Sequence, residues 1–139
     1  MGRVLSIDYG KRRTGLAVTD PLRLIANPLE TIQTTNLLAY LQSYCTKEGV
    51  EQVVIGRPTM VNGQPSENLH RVEMFVRLWK SKMPSIPISY YDERFTSVLA
   101  HQAIIDSGVK KKVRRTDKGL VDKISAAIIL EDYLKSQGR

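Results

Sequence analysis

Four acidic residues occupy positions where a site for phosphodiester cleavage could form. Asp8 follows the first apolar run of the chain, Asp92 and Glu93 follow a later one, and Asp122 lies near the start of a helical segment. Ligands of open α/β sheets collect at the carboxyl ends of the strands, so acids after two neighbouring parallel strands would share one edge. Grouped carboxylates repel each other unless a cation neutralises them. Mg²⁺ suits this role because it prefers oxygen ligands, and a pair of such ions can activate water and stabilise a leaving oxygen.

Each of these acids also has a purely structural interpretation, and spacing alone leaves both open. Asp8 can simply end a strand. Asp122 can be a surface charge paired with Lys118, four residues earlier on the same helix face. Glu93 and Arg94 can form a local ion pair worth less than about 1 kcal/mol.

Small residues near the acids favour a site over these alternatives. Gly10 and Gly15 suit close approach by a phosphate backbone. Ser125 and Ala126 continue the helix face of Asp122 with small side chains, so that helix can pack close to a sheet.

The positive charge of the chain is concentrated next to the candidate acids. The 139 residues include 21 Lys and Arg against 14 Asp and Glu, a net charge of +7. The excess lies in residues 11–13 and 110–118, and the remainder holds 12 basic and 13 acidic residues. A charged run is most often a solvated loop. These two, however, lie directly after Asp8 and directly before Asp122, where they could hold a polyanion such as nucleic acid.

Composition narrows the class of protein. Hydrophobic residues make up 42% and charged residues 25%, which is typical of globular proteins and argues against general disorder. No apolar run approaches the ~18 residues of a membrane span, and the N-terminus lacks the pattern of a signal peptide. The single cysteine, Cys45, excludes an internal disulfide and a Cys-based zinc site. We therefore expect one cytoplasmic domain, residues 1–139, without a membrane partner.

Hydrophobic periodicity predicts an alternation of strands and helices. Strands are expected near residues 4–7, 15–19, 24–26, 53–55 and 86–91. The third is expected to be an edge strand closed by Asn27 and Pro28, and the proline in the last favours an edge strand or a strand start. Helices are expected from Asn36 to Gly49, after Ser66, from Thr96 or Ser97 to about Gly108, and over 117–137. This order predicts an α/β fold whose mixed five-stranded sheet begins as an antiparallel three-strand meander, continues with parallel strands and is flanked by helices.

Four segments of the chain form a recognisable series. They are residues 8–17 (DYGKRRTGLA), 56–58 (GRP), 92–97 (DERFTS) and 118–127 (KGLVDKISAA). In this order they resemble the YqgF (RuvX) family, whose members are described as Holliday junction resolvases or pre-16S rRNA nucleases. The resemblance extends from about residue 3 to 135.

The resemblance implies an RNase H-like fold and a nuclease that depends on Mg²⁺ or Mn²⁺ and acts on structured nucleic acid. It implies Asp8, Glu93 and Asp122 as the catalytic, metal-binding acids, with Asp8 bridging two ions. It also implies 5′ maturation of 16S ribosomal RNA, with ribosomal precursor particles as further partners. Residues expected to contact phosphates are Lys11, Arg13, Arg57, Arg94, Lys110, Lys111, Lys112, Arg114, Arg115 and Lys118.

The chain departs from the usual RNase H-like pattern at its second catalytic acid. RNase H-like proteins commonly place it after the fourth strand, where this chain has Gly56, Arg57 and Pro58. The acid would instead come from Asp92 or Glu93, and we favour Glu93.

Other functions stay open at this stage. The chain could be a Holliday junction resolvase, acting as a homodimer, or an RNA-trimming monomer. It could also be a non-catalytic nucleic-acid-binding ribosome assembly factor. A relative of actin-like ATPases is disfavoured, because those proteins close a second domain over the nucleotide.

Overall fold

A mixed β-sheet forms the centre of the protein. The computed structural model describes residues 2–58, 66–92 and 118–138. Within these ranges there are five strands: β1 (Arg3–Asp8), β2 (Arg13–Thr19), β3 (Ala26–Gln33), β4 (Val50–Arg57) and β5 (Ile88–Asp92). Their order is β3-β2-β1-β4-β5. The pairs β1–β2 and β2–β3 are antiparallel, whereas β1–β4 and β4–β5 are parallel. The predicted meander with parallel extension is confirmed.

Helices cover both faces of this sheet. They are α1 (Leu37–Glu48), α2 (Glu67–Lys82) and α3 (Lys118–Ser136). Gly49 ends α1 in the left-handed conformation, with φ of 67°, which only glycine adopts without strain. Ser66 caps α2, since its hydroxyl accepts a hydrogen bond from the Leu69 amide at 3.1 Å. Both helix boundaries were predicted. The helix expected between Thr96 or Ser97 and Gly108 lies outside the described residues.

The side chains of β1 point alternately to the two faces of the sheet and so belong to two layers of the core. Leu5 and Ile7 pack with α1 and α2, and Trp79 is fully buried in that layer. Val4 packs with α3 on the opposite face, and the Ser6 hydroxyl donates a hydrogen bond to the Ala126 carbonyl at 2.6 Å. Side chains alternate between faces along a strand, so Asp8 falls on the α3 face of the sheet.

Cys45 lies in the α1 and α2 layer, where burial raises the pKa of its thiol to about 11. Cys45 is therefore an ordinary core residue.

The third strand differs from the prediction. It does not stop at Asn27 and Pro28 but begins at Ala26 and continues to Gln33. Pro28 lies on the outermost strand of the described sheet, next to a register shift between Leu16 and Ala17 of β2. A proline is tolerated there because its missing N–H needs no partner.

Leu24 and Ile25, which were expected in that strand, form a turn instead. The Leu24 and Ile25 amides each donate a hydrogen bond to the Asp20 carboxylate at 2.8 Å. By contrast, the prediction that Pro87 marks an edge strand or a strand start is confirmed, because Pro87 directly precedes β5, which is outermost in the described sheet. No helix within the described residues is long and apolar enough to cross a membrane.

Candidate active site at the carboxyl edge of the sheet

Three parallel strands end at one edge of the sheet, which we call the carboxyl edge. β1, β4 and β5 end there at Asp8, Arg57 and Asp92. Arg57 and Asp92 are register partners. Since β1 and β5 both flank β4, Asp8 and Asp92 lie at the same edge of the sheet, as the sequence predicted.

Gly15 allows Asp122 to reach this edge. It is the register partner of Asp8 across β1 and β2, so the two residues point to the same face of the sheet. On that face the backbone of Asp122 lies directly over Gly15, and a Cβ atom at position 15 would overlap the Asp122 carbonyl group. The missing side chain of Gly15 therefore allows α3 to place Asp122 next to Asp8. The close approach at Gly15 is made by a helix, not by a phosphate.

Two hydrogen bonds hold α3 against the sheet on either side of Asp122. The Thr31 hydroxyl of β3 donates to the Gly119 carbonyl at 2.6 Å, and Ser6 donates to Ala126 as described above. Ser125 and Ala126 are both buried, so the small residues on this face do permit close packing. The position of Asp122 thus depends on contacts from three strands.

Arg13 contacts Asp122 directly. Its Nε donates a hydrogen bond to Asp122 Oδ2, and the two side chains are 43% and 22% exposed. Asp122 is thus engaged by a residue of β2 as well as lying on α3. Lys118 begins α3, and its side chain lies outside the described residues.

The turn between β1 and β2 presents the first basic segment. Gly10 has no room for a side chain, because a Cβ atom there would overlap the Arg13 carbonyl oxygen. The turn is tied to the start of α1 by Thr34, whose hydroxyl donates to the Gly10 carbonyl at 2.6 Å and whose amide donates to the Arg12 carbonyl at 2.9 Å. Lys11, Arg12 and Arg13 are all exposed beside Asp8.

Arg57 forms a cation–π contact that spacing did not predict. Its guanidinium carbon lies 5.8 Å from the centroid of the Tyr90 ring, which is 41% exposed. Tyr91 instead packs edge-on against Tyr133, with ring centroids 6.3 Å apart. The register partner of Tyr90 on β4 is Ile55. Arg57, two residues further along β4, is therefore the diagonal neighbour of Tyr90. Only the strand register reveals this pair.

The remaining predicted site residues lie outside the described residues. They are Glu93, Arg94, Lys110, Lys111, Lys112, Arg114 and Arg115. Within the described residues, no three His, Cys, Asp or Glu side chains are grouped closely enough to hold a metal ion. Asp8 and Asp122 are nevertheless carboxylates on one face of the sheet, and one or two carboxylates plus substrate phosphates are the usual ligands of Mg²⁺. The donor set therefore fits a divalent cation.

The fold is shared with solved RuvC structures. RuvC from Thermus thermophilus, in complex with a Holliday junction substrate, matches with a TM-score of 0.58 at 17% identity, over 98% of this chain and 96% of that chain. A second Thermus thermophilus RuvC structure matches with a TM-score of 0.56 at 15% identity, over 97% and 96%. At these identities the likeness establishes the RNase H-like fold.

The family is established by sequence. The model of the RuvX family, described as Holliday junction resolvase, matches residues 2–136. Relatives named "Putative pre-16S rRNA nuclease" are 53% identical in Phocaeicola vulgatus and 51% in Bacteroides thetaiotaomicron, each over 99% of this chain and 98% and 99% of the relative. The chain belongs to the RuvX (YqgF) family and is a nuclease, a hydrolase of nucleic acid.

Proposed function

We propose that this protein is a divalent-metal-dependent nuclease that hydrolyses phosphodiester bonds in structured RNA and processes the 5′ end of pre-16S rRNA in the cytoplasm. The observation that carries the proposal is the packing of Asp122 over Gly15, opposite Asp8. It sets two carboxylates from distant parts of the chain on one face, beside exposed basic residues. The names of its relatives supply the RNA substrate.

Asp8 and Asp122, together with Glu93, would hold Mg²⁺ or Mn²⁺. When bound, such ions lower the pKa of a water and stabilise the charge on the leaving oxygen. The carboxylates would contribute by holding these ions at a fixed place relative to the sheet, where the ions would bind the scissile phosphate. Asp8 is held by the strand pairing of β1, whereas Asp122 is held by the contacts of α3.

The basic residues would bind the substrate backbone. Arg13 neutralises Asp122 in the structure, and the same guanidinium can turn to a phosphate that approaches the acids. Lys11 and Arg57 lie on the two sides of Asp8 along the carboxyl edge and would extend this contact. Contacts of this kind carry no sequence information but fix the register of the strand. The same role is proposed for Arg94, Lys118, Lys110, Lys111, Lys112, Arg114 and Arg115.

A second candidate substrate is branched DNA. The family model is described as Holliday junction resolvase, and the fold matches RuvC over nearly its full length. Resolution of a symmetric junction would require a homodimer, whereas trimming of an RNA end would not.

The test is cleavage of a pre-16S rRNA 5′ fragment and a four-way DNA junction, side by side, with Mg²⁺ and with Mn²⁺. We expect cleavage of the RNA, abolished in Asp8→Asn and Asp122→Asn. Glu131→Gln is the matched control, because Glu131 lies on the same helix as Asp122 but pairs with Lys135 at the surface. A wild-type protein that binds RNA but cuts neither substrate with any divalent metal would contradict the nuclease and support an assembly factor.

A further inference from the structure

A groove opens on the opposite face of the sheet from Asp122, one residue beyond Asp8. Its volume is 530 Å³, within the range of ~300–1,000 Å³ that small-molecule sites occupy. It is lined by Tyr9, Arg71, Met74, Phe75, Arg77 and Leu78. Tyr9 packs with the α1 and α2 layer, so the chain crosses the carboxyl edge between Asp8 and Tyr9.

The floor of the groove is aromatic and fixed. The Tyr9 ring packs against Phe75 with centroids 5.3 Å apart, and Phe75 packs against the buried Trp79 at 6.3 Å. Asn68 of α2 donates a hydrogen bond to the Tyr9 carbonyl at 2.8 Å. Burial raises the pKa of the Tyr9 phenol, an effect that the nearby Arg71 partly offsets. The floor therefore presents an uncharged ring that α2 holds in place.

The sides of the groove combine apolar and cationic groups. Met74 and Leu78 are one turn apart on α2 and remain 56% and 41% exposed. Arg71 and Arg77 flank them, and Arg71 also pairs with Glu67 at 3.5 Å. Burial and the nearby Glu73 raise the pKa of the Tyr90 phenol, and Arg57 and Arg77 offset part of that rise, so Arg77 lies near the Arg57–Tyr90 pair.

We propose that this groove binds one unpaired nucleobase of the substrate strand, next to the phosphodiester bond that is cleaved at Asp8. The base would lie against the Tyr9 ring between Met74 and Leu78, and the neighbouring phosphates would contact Arg71 and Arg77. A slot with an aromatic floor and flanking arginines is complementary to a nucleotide, because every base has an apolar face and every linkage carries a negative charge.

This inference rests on the proposed nuclease function and narrows its substrate. A nucleic-acid strand that passes from Asp122 and Asp8 over the carboxyl edge meets Tyr9 next. Tyr9 directly follows Asp8, and consecutive Cα atoms are about 3.8 Å apart. A base in the groove cannot remain stacked in a duplex. The preferred substrate would therefore carry an unpaired nucleotide beside the cleaved bond, as at a single-stranded RNA end.

The test is binding without catalysis. A short oligouridylate and an abasic oligonucleotide of the same length are titrated by fluorescence anisotropy with EDTA present. We expect the wild type to prefer the base-bearing strand. Met74→Ala/Leu78→Ala should reduce that affinity by about 5- to 100-fold, as loss of one stacked base implies, and leave abasic binding unchanged. Arg77→Ala should weaken both and lower the salt dependence of binding.

Matched controls separate the groove from general surface effects. Leu24→Ala removes an apolar side chain that is 64% exposed on the β2–β3 turn, and Lys80→Ala removes a charge from the same helix outside the groove. Neither should change the preference for bases. Since the substituted side chains are exposed, we expect all variants to retain the wild-type thermal midpoint.

Three results would overturn the inference. The first is a wild type that does not prefer the base-bearing oligonucleotide. The second is a Met74/Leu78 variant that binds both oligonucleotides as the wild type does. The third is a variant that loses affinity for both oligonucleotides equally. A change of sedimentation coefficient in that variant would assign the groove to a second copy of the chain instead. If the base preference holds but no metal supports cleavage, only the proposed function fails. If the wild type cuts and the groove variant keeps its base preference, only this inference fails.

Discussion

The guanidinium of Arg13 donates a hydrogen bond to the carboxylate of Asp122 across 109 positions of sequence. Arg13 starts β2 and Asp122 lies on α3, so the contact joins the turn after Asp8 to α3. It also means that the cation expected to hold phosphate and the carboxylate expected to hold metal already neutralise each other. Binding of substrate at this edge would exchange one charged partner for another.

Arg13→Ala should therefore affect binding more than stability. The ion pair is partly exposed, so its loss should lower the free energy of unfolding by less than about 1 kcal/mol. RNA affinity should fall, and the slope of log affinity against log salt should decrease by about one, the share of one phosphate contact. Anisotropy titrations at several salt concentrations measure this slope. Lys47→Ala, which removes an exposed charge at the end of α1, is the control, and an unchanged slope in Arg13→Ala would exclude a phosphate contact.

Gly15→Ala should disrupt the site by displacing α3. The added methyl group would overlap the Asp122 backbone, which cannot rotate away, so we expect a loss of about 1–3 kcal/mol in unfolding free energy and loss of cleavage. Gly49→Ala provides a destabilised control, since nothing lies near its Cβ position but its φ of 67° disfavours alanine by about 1 kcal/mol. Urea denaturation and cleavage assays below both transitions distinguish the two variants. Wild-type cleavage in Gly15→Ala would show that the contact does not position Asp122.

Neutralising Lys110, Lys111 and Lys112 together should weaken RNA binding and flatten its salt dependence. Each lysine that contacts a phosphate contributes about one to the salt slope, so the slope should fall by up to about three. Metal affinity, measured by calorimetry with Mn²⁺, should stay unchanged because ammonium groups do not ligate metals. A salt slope equal to that of the wild type would identify the segment as a solvated loop.

Asp20 should make the fold sensitive to acid. Hydrogen bonds from the Ile25 and Leu24 amides lower the pKa of its carboxyl below the usual 3.8. The unfolded chain then binds the proton more readily, so the stabilisation is present above pH 3.8 and is lost as the pH falls through the folded pKa. Asp20→Asn should show a smaller loss of unfolding free energy between about pH 5 and pH 2 than the wild type does.

Asp132 provides a control in which acid has the opposite effect on the stability of the fold. Burial raises the pKa of its carboxyl, so the folded chain binds that proton more readily and acidification favours folding at this residue. Asp132→Asn should therefore make the overall loss on acidification steeper. Urea titrations at each pH measure both variants, and equal acid profiles for Asp20→Asn and the wild type would disprove the role of the Asp20 turn.

Local sequence patterns were sufficient to predict much of the fold. The apolar runs of β1 and β4, the glycine that ends α1 and the serine that caps α2 act within a few residues, so periodicity and capping chemistry predict them. The start of β3 could not be predicted in this way. Pro28 is compatible with a strand only because β3 is outermost in the described sheet and lies beside a register shift, and both conditions depend on β2.

The sequence by itself determined the family and the order of the described strands and helices, and it pointed to Asp8 and Asp122 as candidate acids with basic residues beside them. Only the tertiary structure decided that Gly15 serves the packing of α3, that Arg13 binds Asp122, and that Tyr9 and α2 form a groove past the edge. The physical reason is distance along the chain. Residue type and spacing report on neighbours within a few positions, whereas these contacts exist only once strand register and helix packing bring remote segments together.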